Sequence, residues 1–502
     1  MQNEILYGKE ARTKLKIGID KLADAVVSTL GPNGRNVVIF KGSMEPPQST
    51  KDGVTVAKSF VLSDPSEELG TLLIRQAAVK TADKVGDGTT TSTLLARDMI
   101  TLGLSHLDSG KNAVEIKRQI DRATKEVVNA LRENIAEDIS AEGQLEQIAS
   151  ISANNDTETG KLIAQAIDKV GLEGVVHIAE SKTGDTYLET VEGMQFDRGF
   201  KSPYFVTDNN TMSAFLENPA ILIMDHRLNT VKELLPILEA VSSQGKSLLI
   251  IAEDIDNDIA VTTGGQVFSK DKGMKLDKFS WDWFGEARNV TVTKEETTIV
   301  DGKGSIENIE GRVEELQTQI NKAKSPYEKE QLQNRLAKFV GGVAIVHVGG
   351  NTETEMLEKK DRVDDALHAT KAAIEEGIVP GGGKALLVAR ESITGDSIGA
   401  QIVYDACGKP FEQILTNAGI SKTESSILAR DIVKGNTVWE SYNLKTDVIE
   451  DFKQAGIIDP TKVTRLALEN ASSVAGTVLL TECTLTQEKK TSEPGSLPGG
   501  VM

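Results

Sequence analysis

Residues 86–91 read Gly-Asp-Gly-Thr-Thr-Thr, and the nine that follow, Ser92 to Ile100, carry the spacing of a helix. Glycine lets backbone N–H groups approach a ligand closely. The start of a helix presents unpaired N–H groups and a partial positive charge, and threonine hydroxyls add further donors. This combination suits phosphate oxygens. A carboxylate in the same shell, Asp87, is repelled by phosphate unless a cation lies between them, so the pattern points to Mg²⁺ held by a carboxylate and phosphates. The phosphate-binding pattern GxxxxGK[ST] is absent, so the stretch is not a P-loop. The same six residues would also serve as a tight turn ahead of a helix, and alone they do not choose.

Other residues could complete such a site. Thr29-Leu-Gly-Pro-Asn-Gly-Arg-Asn36 is a turn signal or a second backbone cradle on the far side of a nucleotide. Lys51-Asp52-Gly53 sets an acid beside a glycine and reads first as a turn. Asp364-Asp365 precedes Ala-Leu-His368 in a helical stretch. A charged pair on a helix is usually a solvated face, yet phosphoryl transfer needs an acid to orient the attacking water. Nothing in the spacing brings Asp52, Asp87 and Asp365 together. The five histidines have no metal-ligand spacing, so no transition-metal site is expected and His368 reads as structural. Trp281 and Trp283, in SWDWF, read as packing or as an exposed aromatic edge.

The elements that must position these residues fall into three stretches. Helical spacing runs through Leu15, Ile19, Leu22, Ala25 and Val26 up to the turn at 31–34, and again through Ile116, Ile120, Ala123, Val127 and Leu131. From about residue 172 the character changes. Val175–Ala179, Ala220–Met224, Leu248–Ala252 and Val343–Val348 are short apolar runs that read as buried strands. A charged helical hairpin lies between the last two, with Ile306, Ile309, Val313, Leu316 and Ile320 on its first arm. Ser325-Pro326 breaks it, and Leu332, Leu336 and Phe339 follow. After residue 355 the pattern is helical again, interrupted by Gly381–Gly383. Three domains in a row and a mixed domain inserted into a helical one both satisfy this order. The tail from Thr491 is rich in Ser, Pro and Gly and reads as disordered.

A chain of 502 residues is too long for one ordinary core, so two to four domains are expected. The net charge of −19 argues against nucleic acid or an anionic membrane as the main partner. Cys407 and Cys483 lack zinc or CxxC spacing, which argues for a reducing compartment. The first sixteen residues have no apolar signal core, and the longest apolar run, Leu248–Ala252, is far short of a membrane span. The expected location is the cytoplasm.

Taken together, TLGPNGRN (29–36), TKDGVTVA (50–57), GDGTTT (86–91), ISAN (151–154), VEGMQFDRGF (191–200), SPYF (202–205), VDDALHAT (363–370), GGG (381–383) and DPTKVTR (459–465) resemble, in order, the group I chaperonins, the Hsp60 family. The resemblance runs from about residue 5 to 485. It implies a multidomain α+β fold with an all-helical equatorial ATPase domain (1–134 and 376–502). A small intermediate domain (135–191 and 344–375) and an inserted α/β apical domain (192–343) complete it. It implies ATP and Mg²⁺ as cofactors, with K⁺ beside the phosphates. Asp87 matches the Mg²⁺ ligand, Asp365 the acid that positions the hydrolytic water, and Asp52 a second acid near that water. Gly88, Thr89, Thr90 and Thr91 match phosphate contacts, with Leu30, Gly31 and Pro32 opposite and Ile151 nearby. Gly382 and Asp459 match the ribose side, Asn443 and Ile457 the adenine side. Thr29, Lys51 and Thr90 match the K⁺ positions. Gly193, Gly341 and Gly342 match the upper hinge and Gly377 the lower one.

The resemblance also implies a polypeptide-binding surface. Phe200, Tyr204 and Phe205 match apolar positions there, as do Leu235 and Leu238 in TVKELLPILEAV (230–241), although a leucine stripe is more often core. Arg198 and Glu353 match a salt bridge between neighbouring subunits. The implied protein is an ATP-driven chaperone that forms a homo-oligomeric, heptameric ring around unfolded polypeptides. The alternative is a holdase or assembly scaffold without a lidded folding cycle.

Three departures from the family pattern stand out. IIAEDIDND (250–258) runs straight into IAVTTGGQVF (259–268), with no room for the second apical helix, which puts a co-chaperonin lid in question. Ser105 and Glu412 replace a lysine and an arginine of the contacts between back-to-back rings, which favours a single ring. The Gly-Gly-Met tail is reduced to GSLPGGVM.

Overall fold

The computed structural model describes residues 3–487, except 43–46, 140–142, 154–155, 172–174, 182–183, 192, 197, 209–211, 227, 229–232, 253–256, 271–272, 324, 326–328, 330–331, 333–334, 337–338, 340–342 and 436. The chain divides into two compact units, Met1–Ile163 with Thr352–Met502, and Ala164–Asn351. The first unit holds both chain ends and the second is inserted within it, which decides between the two orders that the pattern left open.

β1 (Asn3–Tyr7) leads into α1 (Gly8–Val27), whose Leu15, Ile19, Leu22 and Val26 are fully buried. The three-and-four spacing is therefore the face the helix turns inward. A ribbon of β2 (Val37–Ile39) and β3 (Gln48–Thr50) precedes α2 (Gly53–Ser59), α3 (Pro65–Val85), α4 (Thr89–Asp108) and α5 (Ala113–Ala130). Their starts follow from local chemistry. Asp64 accepts the N–H of Ser66 at 2.9 Å with Pro65 at the first helical position, and Asn112 does the same for Val114. α5 ends in one π turn, Leu131–Ile135. α6 (Gln144–Ser152) and α7 (Thr157–Val170) follow.

The second unit takes in the last part of α7 and continues with β4 (Val175–Glu180), β5 (Tyr187–Val191), β6 (Gly193–Phe196), β7 (Ala214–Glu217) and β8 (Ala220–Met224). α8 (Leu235–Ser243), β9 (Leu248–Ala252), α9 (Asn257–Thr263), β10 (Val267–Phe268), β11 (Gly285–Val292) and β12 (Thr297–Gly302) come next. α10 (Ile306–Lys322) is the first arm of the expected hairpin, and β13 (Val343–Val348) closes the unit. Most of the second arm lies outside the described residues. A seven-stranded sheet runs β10-β8-β11-β12-β6, with β7 on β11 and β9 on β8. β8 is buried at every residue because both its faces are covered. Ile221 and Ile223 pack with Ile259 of α9, whereas Leu222 and Met224 pack with Ile237 and Val241 of α8. β13 pairs with β4 in parallel and with β5 antiparallel in a separate three-stranded sheet.

The chain returns through α11 (Glu353–Glu376), β14 (Ile378–Pro380), α12 (Lys384–Ala389), α13 (Ile398–Asn417) and α14 (Lys422–Lys434). β15 (Glu440–Asn443), β16 (Val448–Asp451), β17 (Ile458–Pro460), α15 (Thr461–Leu479) and β18 (Cys483–Gln487) complete it. β18 pairs antiparallel with β1, from Asn3↔Gln487 to Tyr7↔Cys483, and ties the two ends together. One apolar interior is shared by α1, α3, α4, α5, α13 and α15. The small ribbons β14–β17 and β15–β16 were hidden in a stretch whose periodicity read as helix, because three or four paired residues are too few to set a period. Among the described residues no helix is long and apolar enough to cross a membrane.

One buried cation carries a prediction. Lys384 is fully buried, and its Nζ donates to the Ile432 carbonyl near the end of α14 at 3.2 Å. Burial pulls the ammonium down to about 8 from 10.5. The unfolded chain then holds one more proton than the native state between those values, so stability rises with pH across that window. Lys384→Met is expected to remove this rise, measured as the urea midpoint at pH 7.5, 8.5 and 9.5 without nucleotide. A variant that keeps the wild-type slope would assign the rise to other groups.

Candidate functional site

The Gly-Asp-Gly turn joins α3 to α4. Gly86 and Gly88 both adopt left-handed φ angles, +69° and +80°. A Cβ on Gly86 would lie 2.5 Å from the Cβ of His368 on α11, and one on Gly88 would lie 2.7 Å from Cγ1 of Val463 on α15. The glycines therefore let two helices close onto the turn from either side, a reason for them that their sequence did not carry. His368 is structural in this sense, with its Cβ against the turn. α4 has no capping side chain, and its first described backbone bond runs from the Ser92 N–H to the Gly88 carbonyl at 2.9 Å. The N–H groups of residues 89–91 thus project from the helix start.

Asp87 is brought to this helix start together with two other loops. Its carboxylate accepts the N–H of Gly88 and, at 3.3 Å, the hydroxyl of Ser152 at the end of α6. Asp52 caps α2, accepting the N–H groups of Val54 at 3.0 Å and Thr55 at 2.8 Å. Gly53 sits so close to α4 that a Cβ there would strike the hydroxyls of Thr90 and Thr89. Thr29, at the end of α1, has its hydroxyl 3.4 Å from that of Thr90. Gly31 and Pro32 are exposed in the turn that follows, while the Leu30 carbonyl accepts the Asn417 amide at 2.9 Å. Lys51 is exposed beside Asp52.

α11 supplies the remaining acid. Asp365 is held well above the usual carboxylate range by burial, and next by the Asp87 and Asp52 carboxylates. Burial also raises Asp87, against its hydrogen bonds from Gly88 and Ser152, and Asp52 adds to the rise. Asp459 is pushed up to about 7 by burial and then by Asp87. Asp52, Asp365 and Asp459 all act on Asp87 or are acted on by it, although the four residues come from four separate parts of the chain. Asp361, one helical turn before Asp365, is raised to about 6 by partial burial of its carboxyl and by Asp52 and Asp364. Carboxylates that repel one another in a protein interior are relieved by a cation. Among the described residues no group of three or more His, Cys, Asp or Glu could hold a metal ion unaided, so oxygens from a bound molecule would have to complete its shell.

A second side of the site is made by β14 and β17, where Val379 pairs with Asp459. The Gly381 N–H donates to the Ile457 carbonyl at 2.9 Å, and the Phe452 ring would lie 3.4 Å from a Cβ on Gly382. Ile457 is half-buried, and Asn443 bonds within its own ribbon to Glu450 and to the Lys445 N–H. Ile151 is half-buried next to Ser152. The base of α11 is anchored by Arg465 of α15, which forks onto Glu376 at 2.6 and 2.9 Å. Gly377 follows with φ +74°, and its N–H caps α11 through the Ala373 carbonyl. Ser152 and Asp361 were missed in the sequence. Asp361 was marked there only by its i, i+4 spacing from Asp365, and Ser152 lies within the ISAN motif but was given no role.

In the second unit Tyr204 is 99% and Phe205 64% exposed, and Leu235 and Leu238 of α8 are 47% and 37% exposed. The same helix buries Ile237 and Val241, so the leucine stripe divides into an inner and an outer face. Phe200 differs, because it packs partly against the sheet core. Gly193 is a paired strand residue crowded by the Ile299 carbonyl and Val343. Gly341 and Gly342 lie outside the described residues, as does the side chain of Glu353. Arg198 is exposed, and its carbonyl accepts the Thr297 hydroxyl at 2.6 Å. Trp283 packs against Phe268, whereas Trp281 forms a partly exposed edge with Phe279 and Phe284. Ser105 is exposed on α4, and Glu412 pairs with Lys409 at 2.8 Å.

Residues 22–257 and 247–489 match the model of the TCP-1/cpn60 chaperonin family. Among solved structures the chain is similar to the chaperonin gp146 from bacteriophage EL 2 (Pseudomonas aeruginosa), crystallised in the presence of ATP-BeFx. Two crystal forms of that protein match with TM-scores of 0.73 and 0.61, each at 21% identity over 97% of this chain and 99% of that one. At this identity the likeness is one of fold.

Proposed function

The chain belongs to the TCP-1/cpn60 chaperonin family, and from that we propose that it is an ATPase whose nucleotide cycle drives capture and release of non-native polypeptides. The observation that carries this reading is the meeting of Asp52, Asp87 and Asp365 at the uncapped start of α4. Helix-start N–H groups and the hydroxyls of Thr89–Thr91 receive phosphate oxygens. Asp87 would hold Mg²⁺, whose charge would offset that of the carboxylates and the phosphates. Thr29 and Thr90, with the Lys51 carbonyl oxygen rather than its ammonium, would hold K⁺. Leu30, Gly31 and Pro32 flank the phosphates, Gly382 and Asp459 the ribose, and Asn443 and Ile457 the adenine. Asp365 accepts a hydrogen bond from the attacking water and orients it, with Asp52 beside it. The presence of ATP-BeFx with gp146 supports a nucleotide in a chain of this fold.

The polypeptide-binding surface comprises Tyr204, Phe205, Leu235 and Leu238, and includes Phe200, which packs partly against the sheet core. Apolar side chains left this open bind chains that expose apolar surface of their own. The division into equatorial, intermediate and apical domains, with hinges at Gly193, Gly341–Gly342 and Gly377, is part of this proposal. So are a cytoplasmic location and the contact between Arg198 and Glu353 of adjoining subunits. Assembly into a ring is supported by open-edged ribbons whose Val38 and Leu485 are 67% and 60% exposed, with Phe40, just past β2, 77% exposed. A single heptameric ring is favoured, given Ser105 and Glu412.

One observation favours a second reading, a holdase without a lidded cycle. Only residues 253–256 separate β9 from α9, too short a span for a further helix between them. A refolding assay separates the two. A denatured monomeric enzyme diluted into the protein is expected to recover activity only when ATP and Mg²⁺ are added. Suppressed aggregation with no recovery on adding ATP would overturn the folding machine in favour of the holdase.

A further inference from the structure

We propose that Glu137, Trp439 and Lys453 form a clamp that locks the nucleotide strap β14–β17 to the segment leading into α6, and so holds α11 with Asp365 in its hydrolytic position. The proposal rests on the nucleotide reading above and adds positioning residues which that reading does not contain.

Two segments join α6 and α11 to the rest of the first unit, residues 136–138 and 376–380. They are bonded to each other. The Glu137 N–H donates to the Ile378 carbonyl at 2.9 Å, and the Ile378 N–H donates to the Glu137 carbonyl at 2.8 Å. Gly377 must be glycine here, since its φ is +74° and a Cβ would lie 2.5 Å from the Glu137 carbonyl. The Glu137 side chain reaches the other way. Its Oε1 accepts the Trp439 indole N–H at 2.6 Å, and its Oε2 pairs with Lys453. Lys453 also lies over the Trp439 ring, 5.6 Å from its centroid. The hydrogen bond from Lys453 holds the Glu137 carboxyl below its ordinary range.

Trp439 and Lys453 flank the β15–β16 ribbon, which continues into the nucleotide strap. The Phe452 N–H donates to the Trp439 carbonyl at 3.0 Å, and the Ile457 N–H donates to the Phe452 carbonyl at 2.8 Å. Phe452 underlies Gly382, and Ile457 binds Gly381. The Thr461 N–H donates to the Gly377 carbonyl at 3.0 Å. A short run of bonds therefore connects the ribose and adenine side of the site to both segments at the base of α11. The clamp is closed in the arrangement in which Asp365 faces Asp87 and Asp52. It favours that arrangement over any in which α11 swings away, and its loss acts on turnover rather than on affinity.

The test uses the full chain. Lys453→Met and Trp439→Phe are expected to lower kcat for ATP by about three- to tenfold, the size of one half-exposed charge-assisted bond. The Kd for ADP should stay within about twofold, because neither side chain is among the nucleotide contacts. Lys453→Arg should restore kcat, which a merely structural lysine does not require. With Trp281→Phe and Trp283→Phe in place, Trp439 is the remaining tryptophan of three, and ADP should shift its emission. If kcat stays within twofold of wild type in both clamp variants, or falls without rescue by arginine, the clamp is overturned. If the wild-type chain binds no ADP, it is the nucleotide reading that fails.

Discussion

Asp365→Ala is expected to lower ATP turnover by about 10²- to 10⁴-fold while the protein still binds nucleotide. On the proposed reading the phosphate contacts come from the α4 start and from Thr89–Thr91, and the Asp365 side chain is not among them. The role proposed for Asp365 is a later step, the orientation of water. A second effect goes with the loss. The Asp365 carboxyl is raised by burial and then by the neighbouring carboxylates of Asp87, Asp52, Asp364 and Asp361, so its ionised form destabilises the nucleotide-free fold. For a carboxyl whose native pKa exceeds its unfolded value, stability is highest at low pH and is lost as pH rises from the unfolded to the native pKa. Asp365→Asn should therefore unfold at a higher temperature than wild type at pH 7.5, and at the same temperature near pH 4. Both scans are made without nucleotide or Mg²⁺. Loss of turnover together with higher stability marks a residue retained for chemistry at the expense of the fold. Unchanged turnover would remove Asp365 from the site.

Gly86→Ala is expected to be the most damaging single methyl in the turn. Two costs add there. The left-handed backbone costs a non-glycine residue about 1–2 kcal/mol, and the new Cβ overlaps the Cβ of His368, an atom on a helix backbone that cannot rotate away. Overpacking of this kind adds about 1–3 kcal/mol. Gly110→Ala is the control, because its φ is +82° and a Cβ there meets nothing within 4 Å. It should show the backbone cost alone. The comparison is made on urea midpoints, together with kcat, since α11 displaced by a methyl carries Asp365 with it. Equal loss of stability in the two variants, with kcat intact in Gly86→Ala, would show that α11 does not pack on the turn as described.

Much of the local structure was legible in the residues. The spacing of Leu15, Ile19, Leu22 and Val26 marked the inner face of α1, and the apolar run Ala220–Met224 marked a strand covered on both faces. Leu235 and Leu238 were harder. Their spacing suits a core, and only the packing of Ile237 and Val241 beneath them leaves them outside. The ribbons β14–β17 and β15–β16 were not legible, because strands of three or four residues exist through their partners and not through a period of their own.

The sequence by itself determined the chemistry available at the α4 start, namely backbone donors, hydroxyls and one carboxylate, because helix starts and glycine turns depend on near neighbours along the chain. It also carried family membership, through motifs in collinear order. Only the tertiary structure decided that Asp52, Asp87, Asp365 and Asp459 meet. Those four come from a cap on α2, a turn before α4, the middle of α11 and a strand paired with β14. Hundreds of residues separate the first from the last, and no spacing rule spans such a distance. What brings them together is the burial of one helical core from both ends of the chain, with the glycines of the turn letting α11 and α15 close upon it.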